Sequence, residues 1–131
     1  MTKNKTADKA DQPLTLVITN LETPTGSVIV GVYAPENNFP GENDQLKVYK
    51  FKPDSLTLTV HITDLPYGTY ALAIYQDVNE NGKIDKNWVG IPTEPYAFSN
   101  NVRPLLKAPD FDDCKFNYDA DSESVEMDMI R

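Results

Sequence analysis

Leu14-Thr15-Leu16-Val17-Ile18-Thr19 alternates large apolar side chains with mostly polar ones, and a period of two is the period of a β-strand. Leu14, Leu16 and Ile18 then share one face, which must be covered. The same signature recurs along the chain. Leu56 to Ile62 turns Leu58, Val60 and Ile62 inward and Thr57, Thr59 and His61 outward. Near the end, Cys114, Phe116 and Tyr118 alternate with Lys115 and Asn117, and Val125, Met127 and Met129 alternate with Glu126 and Asp128. Two further runs, Val28-Ile29-Val30-Gly31-Val32-Tyr33 and Tyr70 to Tyr75, are apolar on both faces, as central strands are.

Turn chemistry falls between these runs. Thr23-Pro24-Thr25-Gly26 and Asp64-Leu65-Pro66-Tyr67-Gly68 put proline and glycine where tight connections need them. Asp119-Ala120-Asp121-Ser122 reads as the turn of a C-terminal hairpin. No stretch carries a long, capped apolar stripe of period 3.6, and ten prolines make helices scarcer still. The fold class expected is all-β: an antiparallel β-sandwich of about seven strands. Residues 1–12 are polar and read as a disordered tail. Residues 13–131 form one domain, with a polar loop at 35–45 anchored by Phe39 and a long irregular excursion at about 86–113.

Composition narrows the function classes. A net charge of −8 on 131 residues repels nucleic acid and suits cations. No run approaches the roughly 18 apolar residues that span a bilayer. The start carries no apolar segment of the kind a secretory leader needs, which leaves a cytoplasmic protein or an exported one whose leader is absent from this chain. A single cysteine, Cys114, excludes an internal disulfide, and its place among alternating aromatics reads as core. His61 is the only histidine and lies on a threonine face, which leaves little material for Ser–His catalysis or a histidine-centred metal site. Carboxylate pairs such as Asp85 with Glu94, or Asp112 with Asp113, could serve a hydrolase in principle, but an acidic chain offers such pairs by composition. No enzyme activity is expected.

One stretch has pointed chemistry. Asp77-Val78-Asn79-Glu80-Asn81-Gly82-Lys83-Ile84-Asp85 carries oxygen-bearing side chains at loop positions one, three, five and nine, with glycine at six and a β-branched residue at eight. Those are the first nine positions of an EF-hand-type calcium loop, in which alternate side chains and a main-chain carbonyl, here that of Lys83, converge on one ion. Position twelve, where an EF-hand places a bidentate glutamate, is Trp88. Glu94 is the nearest downstream carboxylate that could substitute. The donors expected for calcium are therefore Asp77, Asn79, Asn81, Lys83, Asp85 and Glu94. With so few carboxylates the binding should be weak, on the order of 10⁻⁴–10⁻³ M. The competing reading is a plain Asx-rich turn, in which the same side chains serve only the backbone. In that case Trp88, Tyr96 and Phe98 of the excursion are the candidate ligand-binding platform for a glycan or peptide, or else a lid packed over one end of the sandwich.

Leu65-Pro66-Tyr67-Gly68-Thr69-Tyr70-Ala71, the acidic loop, and Gly90-Ile91-Pro92-Thr93-Glu94-Pro95-Tyr96-Ala97-Phe98-Ser99-Asn100-Asn101 together resemble the bacterial domain-of-unknown-function family 2141. The similarity runs from about Leu14 to Met129, and Gly-Ile-Pro-Thr-Glu and Phe-Ser-Asn-Asn are its most specific strings. Pro95-Tyr96-Ala97 departs from the Gly-Tyr-Gly more usual there. The resemblance implies an immunoglobulin-like or transthyretin-like sandwich, and export to the periplasm or cell surface. It brings no catalytic residue. The expectation is a non-enzymatic exported β-sandwich with a weak calcium loop and an unidentified protein or glycan partner.

Overall fold

The computed structural model describes residues 12–86, 92–104, 107–122 and 124–131. Among them are eight strands: β1 (Leu14–Thr19), β2 (Ser27–Tyr33), β3 (Lys47–Phe51), β4 (Leu58–Ile62), β5 (Gly68–Asp77), β6 (Tyr96–Phe98), β7 (Phe116–Tyr118) and β8 (Val125–Asp128). They form two sheets. One has the order β4-β1-β8; the other has the order β3-β2-β5-β6, with β7 also paired to β5.

Alternation in sequence becomes alternation in burial. Leu14, Leu16 and Ile18 are buried while Thr15, Val17 and Thr19 are only half-buried, and Val60, Ile62, Met127 and Met129 are buried between exposed neighbours. From the other sheet Val28, Val30 and Val32, and Tyr70, Leu72 and Ile74, face the same core. The all-β sandwich expected from periodicity is the observed architecture.

The strands differ from the expectation in three places, each for a physical reason. First, β7 and β8 are not a hairpin: β7 pairs with β5, and β8 runs parallel to β1 with Leu16 opposite Val125. Alternation says which face a residue takes and not which strand it joins. The turn at Asp119–Ser122 carries the chain from one sheet to the other, and Tyr118 and Met127 enter the core from opposite sides. Second, β3 is an edge strand whose residues are exposed or half-buried, and only Tyr49 and Phe51 pack against the core, too short an alternation to stand out. Third, the excursion at 86–113 contains β6, a tight turn at Ser99–Asn101 and the one-turn helix α1 (Phe111–Cys114). Ala97 and Ser99 are buried, and the Ser99 hydroxyl accepts the Leu72 N–H of β5 at 2.9 Å and donates to the Cys114 carbonyl of α1 at 2.6 Å, which fixes this segment to both.

The 35–45 loop is anchored by Phe39 as expected. Its ring meets Tyr33 edge-on at 4.9 Å between centroids, and also packs against Phe98 and Phe111. The Tyr33 hydroxyl donates to the Gly41 carbonyl at 2.8 Å, so this loop covers part of the outer face of the larger sheet. Cys114 is buried, and burial, then the charges of Asp113 and Asp110, push its thiol up to about 11. His61 is exposed and hydrogen-bonded to Thr15. Residues 1–11 of the tail lie outside the described residues, whereas the Gln12 side chain donates to the carbonyls of Asp119 and Ser122. No helix among the described residues is long and apolar enough to cross a membrane.

Candidate functional site

β5 ends at Asp77, and the loop that follows starts from a buried residue. Asp77 is only 3% exposed. Its carboxylate is held by the loop's own backbone: the Asn81 N–H donates to Oδ1 at 3.1 Å and the Gly82 N–H to Oδ2 at 2.8 Å. That curl requires a left-handed residue, and Gly82, at φ +86°, supplies it with open space where a β-carbon would stand.

The remaining donors expected from sequence meet one another. Asn79 and Asn81 each donate a side-chain amide N–H to Asp85, at 2.6 Å to Oδ2 and Oδ1 respectively. Their amide oxygens accept backbone N–H groups, Asn81 for Asn79 and Lys83 for Asn81, at 3.3 and 3.1 Å. These bonds hold the Asp85 carboxyl below its usual range, the bond from Asn81 contributing most and the one from Asn79 next. The Asn79 and Asn81 amide N–H groups thus meet at the Asp85 carboxylate while their amide oxygens turn to backbone N–H groups, and the carboxylate at position one is fixed by the N–H groups of positions five and six.

Glu94 arrives from the other side. The β5–β6 register pairs Tyr75 with Tyr96, and the Gln76 N–H donates to the Pro95 carbonyl at 2.9 Å. Two residues further along the same register, Glu94 stands across from Asp77. It is 7% exposed, and its two oxygens take backbone donors from opposite ends of the loop: the Val78 N–H to Oε2 at 2.8 Å and the Asp85 N–H to Oε1 at 2.9 Å. The Thr93 N–H donates to the Asp85 carbonyl at 2.8 Å, and Lys86 bridges to Pro92. Glu94 is brought to the loop as expected, but as an acceptor for its backbone.

The surrounding charges divide into two groups. Glu80 is neutralised by Lys52 at 2.6 Å and accepts the Ser27 hydroxyl, and Glu42 is paired with Lys86 at 2.9 Å. Asp77, Asp85 and Glu94 take no ion-pair partner among the described residues. The excess of negative charge is felt nearby: burial first, then the charges of Asp77, Glu94, Glu42 and Asp85, hold the Tyr75 hydroxyl above the ordinary tyrosine range. Among the described residues no three histidine, cysteine or carboxylate side chains converge as a metal cage. A cation here would take a mixed set of carboxylate, amide and main-chain oxygens. That donor chemistry is hard and all-oxygen, which fits calcium and disfavours zinc or copper.

Chain similarity sets the loop in a wider context. The family model described as an uncharacterized protein conserved in bacteria (DUF2141) matches residues 16–126, most of the chain. The chain belongs to the DUF2141 family. In this DUF2141 sandwich the matched span runs from within β1 to the first half of β8, and takes in the whole β5–β6 connection. No curated protein and no solved structure matches it.

The other sequence candidates are placed as follows. Tyr96 and Phe98 are half-buried strand residues of β6, with their rings 6.0 Å apart. Trp88 lies outside the described residues. Asp112 pairs with Lys115 at 3.3 Å, and Asp113 accepts the Asp110 N–H at the start of α1. Sequence reasoning gave Gly26 as a turn residue and Glu80 as part of the loop, and missed the contacts that each makes. Glu80 joins the loop to Ser27 and Lys52, and Gly26 lets the β1–β2 turn sit against the Asp77 backbone. The partners of both are distant in sequence, so nothing local marks them.

Proposed function

We propose that this DUF2141 domain is a non-enzymatic, exported β-sandwich that binds one calcium ion weakly in the loop at residues 77–85. Its ligands are Asp77, Asn79, Asn81 and Asp85, with the Lys83 carbonyl. The observation carrying this reading is that Asp77, Asp85 and Glu94 gather at one loop and take no ion-pair partner among the described residues. Their N–H donors leave the net negative charge of the partly buried loop in place, and a cation would offset it. A carbonyl oxygen has two lone pairs, so an asparagine oxygen that accepts a backbone N–H keeps capacity for an ion. When bound, calcium supplies positive charge and six- to eight-fold oxygen coordination, and no chemical step.

The task of such an ion is structural. It would fix the connection between β5 and β6, the second of which carries the half-buried aromatics Tyr96 and Phe98. A partner glycan or protein would meet that outer face. Export is supported by the family resemblance and by the millimolar calcium found outside cells, where a weak site fills.

A thermal melt tests the reading. Binding to the native state alone stabilises by RT ln(1 + [L]/Kd), about 1.4 kcal/mol at tenfold saturation. The melting temperature is expected to rise between chelator and 10 mM calcium in the native sequence and not in Asp85→Ala. An equal rise in both proteins would contradict the site, as would none in either.

A further inference from the structure

Glu94 sits outside the nine-residue loop, and nothing in the calcium-loop pattern assigns it a part other than that of an extra ligand. The geometry points to a different role. We infer that Glu94 is a positioning residue that closes the loop from beneath and holds it ready for the ion, and that it is not itself a ligand. This rests on the calcium reading for its consequence, although the bracing itself does not require an ion.

Three observations carry it. The two carboxylate oxygens of Glu94 are each engaged by a backbone donor, Val78 at 2.8 Å and Asp85 at 2.9 Å, which are the residues just inside the loop's two ends. One planar group therefore spans the loop's mouth and fixes the distance between position two and position nine. Glu94 is 7% exposed and both bonds are part-buried, so leaving these donors would cost two charge-assisted hydrogen bonds shielded from most of the solvent. Finally, Glu94 is delivered by the β5–β6 ladder through the Gln76–Pro95 hydrogen bond, so the brace is as rigid as the sheet. Groups that orient ligands from behind commonly alter metal affinity by 10- to 100-fold when replaced.

Glutamine is the informative substitution, because it keeps the shape and one acceptor oxygen while turning an NH2 group toward the second backbone donor. Amide exchange and calcium affinity are read separately by NMR in the native sequence, Glu94→Gln and Asp85→Asn. In EGTA, the Val78 and Asp85 amides of the native protein are expected to be protected. Glu94→Gln should expose at least one of them, while Asp85→Asn, which leaves the backbone donor in place, should expose neither. Calcium added to the native protein should leave both amides protected. The dissociation constant of Glu94→Gln should rise about tenfold or more. Loss of Val78 and Asp85 protection on adding calcium would mean that Glu94 turns to the ion, and would overturn the assignment. Unchanged exchange in Glu94→Gln would overturn it equally. If the native protein takes up no calcium, the metal reading fails by itself, and Glu94-dependent protection in EGTA still supports the brace.

Discussion

A β-carbon at Gly26 would lie 2.7 Å from the Asp77 carbonyl oxygen and 3.1 Å from the Val78 α-carbon, whereas one at Gly82 would meet nothing within 4 Å. Both glycines have positive φ, at +74° and +86°. The pair therefore separates the cost of a backbone conformation from the cost of a collision. Gly82→Ala should lose about 1–2 kcal/mol, the penalty of a left-handed conformation alone. Gly26→Ala should lose about 2–4 kcal/mol, since it adds overpacking against the root of the loop. Urea unfolding midpoints check the difference; equal losses would mean that the β1–β2 turn yields and does not hold Asp77. At this scale the loop's residues were legible because their geometry is local: Asp77, Asn79, Asn81, Gly82 and Asp85 are neighbours in sequence and meet within one turn. The part played by Glu94 was not, because it depends on a strand register that one sequence does not state.

At the scale of elements, edge strand β3 shows how an element can be present with only a short core-facing signal. Tyr49 and Phe51 alone pack against the core, and polar contacts fix the strand from the side. The Lys47 ammonium donates to Asp64 at 2.5 Å and the Tyr49 hydroxyl to the same carboxylate at 2.6 Å, which ties β3 to the turn after β4. The two bonds, the one from Lys47 first, hold the Asp64 carboxyl below its usual range. A carboxyl whose pKa is lower folded than unfolded stabilises above its unfolded value, near 3.9, and that stabilisation is lost as pH falls through the folded value. Asp64→Asn should therefore be less stable than the native sequence at pH 6, with the gap closing as pH falls below about 4. A gap that stays constant with pH would remove Asp64 from the account of β3. The same scale explains the misplaced hairpin. Phe116 and Tyr118, like Val125 and Met127, advertise a buried face, but both sheets present such a face to one core, and alternation is silent on which sheet a strand joins.

Across the whole molecule, two sheets close over a core drawn from β1, β2, β4, β5, β6, β7 and β8, and the last residues return to the larger sheet through mutual backbone bonds between Ile130 and Tyr96 at 2.7 and 3.1 Å. That architecture followed from period-two patterning because burial of one face per strand is a global requirement that each strand writes locally. The net charge of −8 is spread over the surface, so calcium will also associate loosely with the protein as a whole. Loose association and a built site differ in saturation and in location. The most direct measurement is a calcium titration followed by amide chemical shifts across the chain, with magnesium as control. The account requires saturable shifts of one stoichiometry, confined to residues 77–86 and 93–95, with a dissociation constant on the order of 10⁻⁴–10⁻³ M and a much weaker response to magnesium. Small shifts that grow linearly with either ion and scatter over the acidic surface would contradict it.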